Sequence, residues 1–203
     1  MDIKQKEIEA KFYLTHLSEL RQKLVDRGAV LVQERTFEQN WRFDDLQGRL
    51  QAENIVLRLR QDAQARMTYK RVLSSLEERL EIECIVEDSG QARLILEALG
   101  YRVITSYEKY RETFQLEENQ IMLDELPFGC FAEIEGPDVE CVRAAAARLS
   151  LDWARRVSRN YLGLFSLLKE RKGWTFDDLS FERFASLPPI LPNDLQVVDA
   201  RIR

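Results

Sequence analysis

Along the first two-thirds of the chain, polar and apolar residues alternate one by one. A period of two is typical of β-strands, because successive side chains of a strand point to opposite faces. A Leu-Pro-Phe-Gly turn at residues 126–129 is predicted to join the last two strands. The pattern predicts eight strands, over residues 3–14, 31–43, 55–62, 65–72, 79–86, 102–116, 120–125 and 130–135.

Between and after these strands the spacing of apolar residues changes to that of a helix. Gly28 and Gly100 are expected to end the first two helices, and Asp138 to cap the third. From about residue 158 the pattern changes, and Pro188, Pro189 and Pro192 interrupt regular structure. We therefore predict one domain over residues 1–168 and a C-terminal appendage over residues 169–203, whose last residues form an edge strand or a loose tail. The predicted helices cover residues 17–27, 90–99, 139–149, 160–172 and 175–184.

Composition narrows the classes of protein. The chain has 203 residues, and its 30 Lys and Arg nearly balance 35 Asp and Glu, for a net charge of −5. Such a balance argues against a nucleic-acid or membrane partner, which would need a basic excess. The single histidine, His16, is expected at the surface or in a helix cap, so a histidine-based triad is not supported. Three unpaired cysteines, a charged N-terminus and no long apolar run predict a cytoplasmic protein.

The alternating strands carry a second pattern, in which charges of one sign recur two residues apart. Such neighbours share one face of a strand, while the residues between them are aliphatic or aromatic. Like charges on one sheet face are unfavourable unless an opposite charge lies between them. The set contains six cations and seven anions: Lys11, Arg58, Arg60, Lys70, Lys109 and Arg111, with Glu7, Glu9, Glu81, Glu83, Asp124, Glu133 and Glu135.

A solvated sheet face also alternates apolar with charged residues, and this is the simpler interpretation of any single pair. The complete set favours an enclosed face, because the predicted helices need the apolar side and the pairs are almost purely ionic. Two like charges about 4 Å apart repel by roughly 4 kcal/mol at an effective dielectric near 20. Clustered carboxylates therefore need bound cations, and clustered basic groups need an anion. A triphosphate complexed with Mg²⁺ or Mn²⁺ supplies both.

The motifs resemble those of a known family. Residues 7–11, Glu-Ile-Glu-Ala-Lys, match the ExExK signature of the CYTH superfamily, the triphosphate tunnel metalloenzymes. Residues 108–111, 123–129 and 133–136 look most like its class IV adenylate cyclase branch, and the chain is also similar to thiamine triphosphatase. The resemblance covers about residues 3–168.

The resemblance implies an α+β fold, a closed eight-stranded antiparallel β-barrel with helices packed outside. It implies that Glu81 and Glu83 support the site, by binding metal or by orienting basic residues. The implied metal ligands are Glu7, Glu9, Asp124, Glu133 and Glu135. The implied triphosphate-binding residues are Lys11, Arg58, Arg60, Lys70, Lys109 and Arg111. The residues predicted to act in catalysis are Glu9, Lys11 and Lys70.

Three functions remain open at this stage. Attack of water on the terminal phosphorus would hydrolyse a nucleoside triphosphate, thiamine triphosphate or tripolyphosphate, and we favour this function. Attack of the ribose 3′-hydroxyl of ATP on the α-phosphorus would instead make cyclic AMP and pyrophosphate. A non-catalytic polyphosphate-binding module would need the basic residues but could lack the carboxylates. The expected partner is a small triphosphate, with the protein acting as a monomer or homodimer.

Overall fold

The computed structural model describes residues 8–72 and 79–202. The strands are β1 (Ile8–Leu14), β2 (Val30–Asp44), β3 (Ile55–Gln61), β4 (Ala65–Val72), β5 (Arg79–Val86), β6 (Arg102–Leu116), β7 (Asn119–Leu126), β8 (Gly129–Gly136) and β9 (Asp178–Leu179). The helices are α1 (Ser18–Asp26), α2 (Arg49–Ala52), α3 (Ser89–Ala98), α4 (Val139–Arg148), α5 (Tyr161–Lys172), α6 (Phe181–Ala185) and α7 (Pro192–Leu195), with a 3₁₀ helix at Trp153–Arg155.

Eight long strands form the sheet, in the hydrogen-bonded order β1-β8-β7-β6-β2-β3-β4-β5. The paired strands β1–β8, β8–β7, β7–β6, β2–β3, β3–β4 and β4–β5 are antiparallel, and the short β9 runs parallel to β6. The predicted α+β fold with eight antiparallel strands and helices is therefore confirmed. Closure of the sheet into a barrel stays a prediction.

The chain forms two compact units. The described part of the first unit covers residues 37–72, 79–108 and 177–180, and that of the second covers residues 8–36, 109–176 and 181–202. Strands β2 and β6 each contribute residues to both units. The predicted domain boundary at residue 168 stays a prediction.

In the second unit, one face of the sheet packs on helices. The apolar residues of β1, such as Phe12 and Leu14, share a core with Leu24 of α1 and Ala146 of α4, and all four are fully buried or nearly so. As predicted, Asp138 caps α4, because its carboxylate accepts a hydrogen bond of 2.7 Å from the backbone N–H of residue 141. The helices therefore cover the apolar side of the alternating strands, and the charged residues lie on the other side.

Aromatic residues cover part of the opposite face of the second unit. Tyr161, at the start of α5, packs edge-on against Phe131 of β8 with ring centroids 5.2 Å apart. Further along, Trp174 stacks on Phe176 at 5.2 Å and contacts Phe184 at 5.5 Å. The aromatic residues of the predicted appendage thus pack within their own unit.

The first unit is a layer of β2–β5 with α3 on one side. Phe43 of β2, Leu59 of β3 and Leu96 of α3 form its buried core. Gly100, with φ of 92°, follows the end of α3, and a positive φ is readily accepted only by glycine. The even-numbered residues of β2 and β3 lie on the sheet face opposite these core residues.

Two predicted elements differ from the structure. The single helix expected over residues 175–184 is wrong, because β9 occupies part of it and only the five-residue α6 is helical. The Asp178 carboxylate accepts hydrogen bonds from Ser106 at 3.2 Å and Ser180 at 2.9 Å, which hold this segment beside β6. The last residues form an isolated β-bridge between Arg201 and Leu151, and the backbone of Ala200 hydrogen-bonds with that of Tyr13 and Asp152. Over the described residues, the helices lack the length and apolar character needed to cross a membrane.

Candidate functional site

In the second unit, the charged face of β1 meets that of β8. Lys11 lies directly across from Glu133 in the strand register, and its Nζ is 2.8 Å from Glu133 Oε1 and 3.1 Å from Glu9 Oε1. Lys11 is 7% exposed and Glu133 6%. Burial alone would lower the pKa of Lys11, but the charges of Glu133 and Glu9 outweigh it and raise that pKa. Lys11 is thus held as a buried ammonium group between two carboxylates.

Asp124 of β7 is the most enclosed acidic residue of this face, with no exposed surface. Arg111 donates to it twice, with Nε 2.6 Å from Oδ1 and Nη2 2.5 Å from Oδ2. Lys109 Nζ lies 3.3 Å from Oδ2, and the Tyr161 hydroxyl donates to the same oxygen at 2.7 Å. Asp124 therefore orients two basic side chains, and both of its oxygens are already engaged.

Glu133 connects the two groups of charges. Arg111 Nη2 is 2.5 Å from Glu133 Oε2, while Lys11 contacts the other carboxylate oxygen. Burial opposes ionisation of Glu133, yet Arg111, Lys11 and Lys109 lower the pKa of its carboxyl far below the usual range. The second unit thus brings six of the predicted site residues into one ionic network: Glu9, Lys11, Lys109, Arg111, Asp124 and Glu133.

The carboxylates at one end of this network are the candidate metal ligands. Glu9 faces Glu135 directly across β1 and β8. Burial, and then the negative charge of Glu133, raise the pKa of the Glu9 carboxyl. Within residues 8–72 and 79–202, no three acidic, histidine or cysteine side chains converge to form a metal centre. The donors nevertheless fit a hard divalent cation, because they are carboxylate oxygens whose mutual repulsion a cation would relieve. The predicted ligand Glu7 lies outside the described residues.

The first unit holds two of the three predicted arginines, Arg58 and Arg60. Arg58 of β3 lies directly opposite Arg42 of β2, a residue that was not among the predicted site residues. The buried Nε atoms of Arg42, Arg58 and Arg60 have no hydrogen-bond partner within the described ranges. Burial, and then the adjacent charge of Arg58, lower the pKa of Arg42. These guanidinium groups lie where an anion would be stabilised.

The remaining predicted residues of the first unit pair across β4 and β5. Lys70 faces Glu81 in register, and its Nζ lies 2.9 Å from Glu81 Oε2. Thr68, also facing its partner, donates to Glu83 Oε2 at 3.0 Å. Both carboxylates contact neighbours on β4, which is the geometry expected if they orient the basic residues.

Burial separates the two interpretations of the charged faces. Lys11, Lys109, Asp124 and Glu133 are each no more than 7% exposed. A solvated face would leave such groups in water, because burying an ionised side chain is costly unless it is paired. In the second unit, the charged face is therefore enclosed and not solvated.

Sequence reasoning missed two parts of the site. On β2, the polar residues Glu38, Asn40 and Arg42 lie on one face, but their mixed chemistry lacks the like-charged pairs that marked the other strands. Tyr161 lies on a helix, so alternation in strands gave no signal for it. Its position after the helix-capping Asn160, whose side chain accepts from Gly163 N, was the only local indication that it sits at a fixed helix start.

The chain is similar to several known proteins. A family model of the CYTH domain matches residues 5–175. The structure is similar to that of a candidate adenylate cyclase from Vibrio parahaemolyticus, with 25% identity and a TM-score of 0.71 over 80% of this chain and 98% of that one. A protein of Pyrococcus horikoshii shares the fold at 23% identity and a TM-score of 0.65, over 77% of this chain and 97% of that one.

A third structure also shares the fold. It is a candidate adenylyl cyclase from Hippeastrum, described as having a dominant triphosphatase activity. It is 21% identical, with a TM-score of 0.50 over 95% of this chain and 100% of that one. No curated protein matches the sequence.

Proposed function

The chain belongs to the CYTH domain family, whose members process triphosphates, and from this premise we propose that it is a divalent-metal-dependent triphosphatase. The substrate in this proposal is an organic or inorganic triphosphate: a nucleoside triphosphate, thiamine triphosphate or tripolyphosphate. One observation carries the proposal: three arginines of the first unit, at positions 42, 58 and 60, have buried Nε atoms that make no hydrogen bond among the described residues, although Arg60 Nε lies 3.6 Å from Asp62 Oδ2.

Those arginines support phosphate binding for an electrostatic reason. Two guanidinium groups on directly opposed residues, Arg42 and Arg58, repel each other in a low-dielectric setting. A phosphate group between them accepts hydrogen bonds from both, since guanidinium geometry matches phosphate oxygens. Arg60 extends the same face by one pair of residues, and Lys70 on β4 adds a mobile point charge. We assign phosphate binding to these four residues.

The acidic residues of the second unit are assigned to metal binding. Glu9, Glu133 and Glu135, with Glu7 before them, would hold Mg²⁺ or Mn²⁺ through carboxylate oxygens. A bound divalent ion supplies charge neutralisation on the phosphate oxygens and lowers the pKa of a coordinated water. Asp124 is assigned an orienting role, because Arg111, Lys109 and Tyr161 occupy its oxygens.

The protein's own residues would do the remaining work by position and charge. Phosphoryl transfer needs mainly alignment and stabilisation of charge on the transferred group. Lys11, Lys109 and Arg111 are fixed by their carboxylate partners and would present their remaining N–H groups to phosphate oxygens. Glu9 is the candidate to orient the attacking water, since burial and then the negative charge of Glu133 raise the pKa of its carboxyl.

Cyclisation of ATP is the second candidate function. It is favoured by the similarity to the Vibrio parahaemolyticus structure, described as a candidate adenylate cyclase. It requires the ribose hydroxyl to be held in line with the α-phosphorus, whereas hydrolysis requires only water beside the terminal phosphorus. We therefore propose hydrolysis as the principal activity.

One assay separates these functions. The purified protein is incubated with ATP, thiamine triphosphate or tripolyphosphate, with Mg²⁺, with Mn²⁺ or with excess EDTA. Orthophosphate released only with metal supports the triphosphatase, and cyclic AMP with pyrophosphate means a cyclase. Binding of the triphosphates without any product would contradict both enzymes and indicate a binding module. Glu9→Gln serves as the internal test, since it should abolish metal-dependent turnover while metal-free affinity remains.

A further inference from the structure

Asn40 of β2 is a buried residue with one unsatisfied polar atom. It has no exposed surface, and its Nδ2 donates to Glu38 Oε1 at 2.8 Å. A carboxylate only accepts hydrogen bonds, so the amide atom that contacts Glu38 must be the nitrogen Nδ2, and the other must be the oxygen Oδ1. The other end, Oδ1, has no donor among residues 8–72 and 79–202. The amide is therefore held with its acceptor directed away from Glu38 and unmatched.

Arg60, the residue that faces Asn40, has a buried donor without a hydrogen-bond partner among the described residues. Asn40 pairs directly with Arg60 across β2 and β3, and the buried Arg60 Nε makes no hydrogen bond within the same described residues; Asp62 Oδ2 lies 3.6 Å from it, beyond hydrogen-bond distance. Side chains on directly opposed residues of an antiparallel pair start about 5 Å apart. An unmatched acceptor and an unmatched donor thus belong to facing residues on the same side of the sheet. Leaving such atoms buried and unpaired is unfavourable, which points to a third group that satisfies both.

We propose that Asn40 and Arg60 bind a hydroxyl group of the substrate. A hydroxyl donates one hydrogen bond and accepts others, so it satisfies Asn40 Oδ1 and Arg60 Nε together. An ionised phosphate oxygen only accepts and would leave Asn40 unmatched. An ammonium group only donates and would leave Arg60 unmatched.

This inference rests on the proposed function, since it takes the neighbouring arginines as the phosphate-binding residues. The hydroxyl then lies close to the phosphate chain. The ribose of a nucleoside triphosphate carries hydroxyl groups close to its phosphate chain. Thiamine triphosphate has no free hydroxyl group, and tripolyphosphate has no organic part. The subsite therefore selects nucleoside triphosphates among the three candidate substrates.

Substrate analogues test this selection directly. The value of kcat/KM is measured with Mg²⁺ for ATP, 2′-deoxy-ATP, 3′-deoxy-ATP, thiamine triphosphate and tripolyphosphate. Loss of the bound hydroxyl should reduce kcat/KM about tenfold relative to ATP, the effect of one hydrogen bond. Asn40→Ala should lower the value for ATP to that of the affected deoxy analogue, with tripolyphosphate unchanged. If ATP and both deoxy analogues react equally in the unmodified protein, the inference is overturned.

A matched control is available in the second unit. Asn119 is 5% exposed and also has an unpartnered Oδ1 within the described part of the chain. Asn119→Ala should leave the ratio between ATP and the deoxy analogues unchanged. If Asn40→Ala instead lowers ATP and tripolyphosphate turnover equally, the oxygen is met by a buried water or serves folding only, and the proposal fails. Should Asn40→Ala not fold, the analogue series on the unmodified protein decides alone.

Calorimetric binding of the same ligands separates this inference from the proposed function. Hydroxyl-selective binding without turnover of any triphosphate would contradict the proposed function but support the hydroxyl-binding subsite. Turnover without hydroxyl preference would keep the function and remove the subsite. Absence of both binding and turnover would overturn the two together.

Discussion

In the second unit, the buried cations of the charged face contact carboxylates of the same face. In the first unit, three arginines have Nε atoms without an acceptor among the described residues. Lys11 and Arg111 each contact two carboxylates, while Arg42 faces another arginine. The same alternation of charged and apolar residues thus produces two different electrostatic states. The buried cations of the second unit are paired before any ligand binds. In the first unit Lys70 pairs with Glu81 and Arg60 Nε lies 3.6 Å from Asp62 Oδ2, but Arg42 and Arg58 face each other with Nε atoms that make no hydrogen bond among the described residues.

This difference indicates which property each unit controls. A charge removed from a matched network leaves a buried partner unpaired, so the free energy of unfolding falls first. A cation removed from an unmatched set relieves repulsion, so ligand binding falls while the fold is unharmed. The following predictions test this division, beginning with the largest effect.

Asp124→Asn should cause the largest loss of stability. The substitution keeps the shape of the side chain but removes the negative charge that Arg111 and Lys109 both contact. Breaking a buried pair costs about 3–5 kcal/mol of unfolding free energy. Urea denaturation of the variant and the unmodified protein would measure this loss. Glu125→Gln on the same strand is the control, because its partly exposed pair with Arg35 should contribute less than about 1 kcal/mol. Equal losses for the two variants would contradict the division between the units.

Arg42→Gln should separate activity from stability. We expect kcat/KM for the triphosphate to fall about 100-fold, as is typical when one charge-stabilising donor is lost. The unfolding free energy should stay constant or rise, because a cation facing Arg58 disappears. Arg71→Gln on β4, half-exposed, is the control and should change neither value. A destabilised Arg42→Gln variant with full activity would show that the first unit is not an anion site.

Tyr161→Phe tests the hydroxyl that supports Asp124. The ring remains beside Lys11, whose Nζ lies 4.4 Å from the ring centroid, but the 2.7 Å hydrogen bond is lost. Hydrogen bonds to charged groups contribute roughly 2 kcal/mol, so the unfolding free energy should fall by about that amount. Tyr13→Phe, whose ring packs on the same Phe131, should have a smaller effect. If Tyr13→Phe lowered the unfolding free energy more than Tyr161→Phe, the Tyr161 hydroxyl would not be a stabilising member of the ionic network.

The smallest effect is a difference in pH dependence between two glutamates. The pKa of Glu133 is lowered from 4.5, so its ionised form stabilises the fold above that pH and this stability is lost as pH falls. The pKa of Glu9 is raised from 4.5, so its ionisation destabilises the fold as pH rises through that raised value. At pH 7, Glu133→Gln should therefore lower the unfolding free energy and Glu9→Gln should raise it slightly. If both variants lowered, or both raised, the unfolding free energy at pH 7, the assignment would be refuted.

Much of the sheet could be predicted from the sequence, since the alternation in β1, β3, β4 and β8 reflects burial of one face against helices. The pairing of Lys11 with Glu133, by contrast, depends on strand register. Two residues far apart in the chain face each other only once the order β1-β8 is set. No local pattern carries that information.

The prediction failed where side chains of mixed chemistry replaced repeated charge. Asn40 and Arg42 share a face with Arg58 and Arg60. In the sequence, however, an amide followed by a guanidinium cannot be distinguished from the polar side of an ordinary solvent-exposed strand. The C-terminal helix was wrong for a related reason: Asp178 and Ser180 hydrogen-bond locally, and such contacts compete with helix formation. Tertiary contacts decided both cases.

The enclosed phenol of Tyr161 has an optical consequence. Burial, followed by the negative charges of Asp124 and Glu133, raises the pKa of this phenol well above its usual value. In an alkaline titration followed by ultraviolet absorbance, the raised pKa delays ionisation of Tyr161 until the second unit unfolds. The molecule thus carries a native chromophore that reports the integrity of its ionic network without any label.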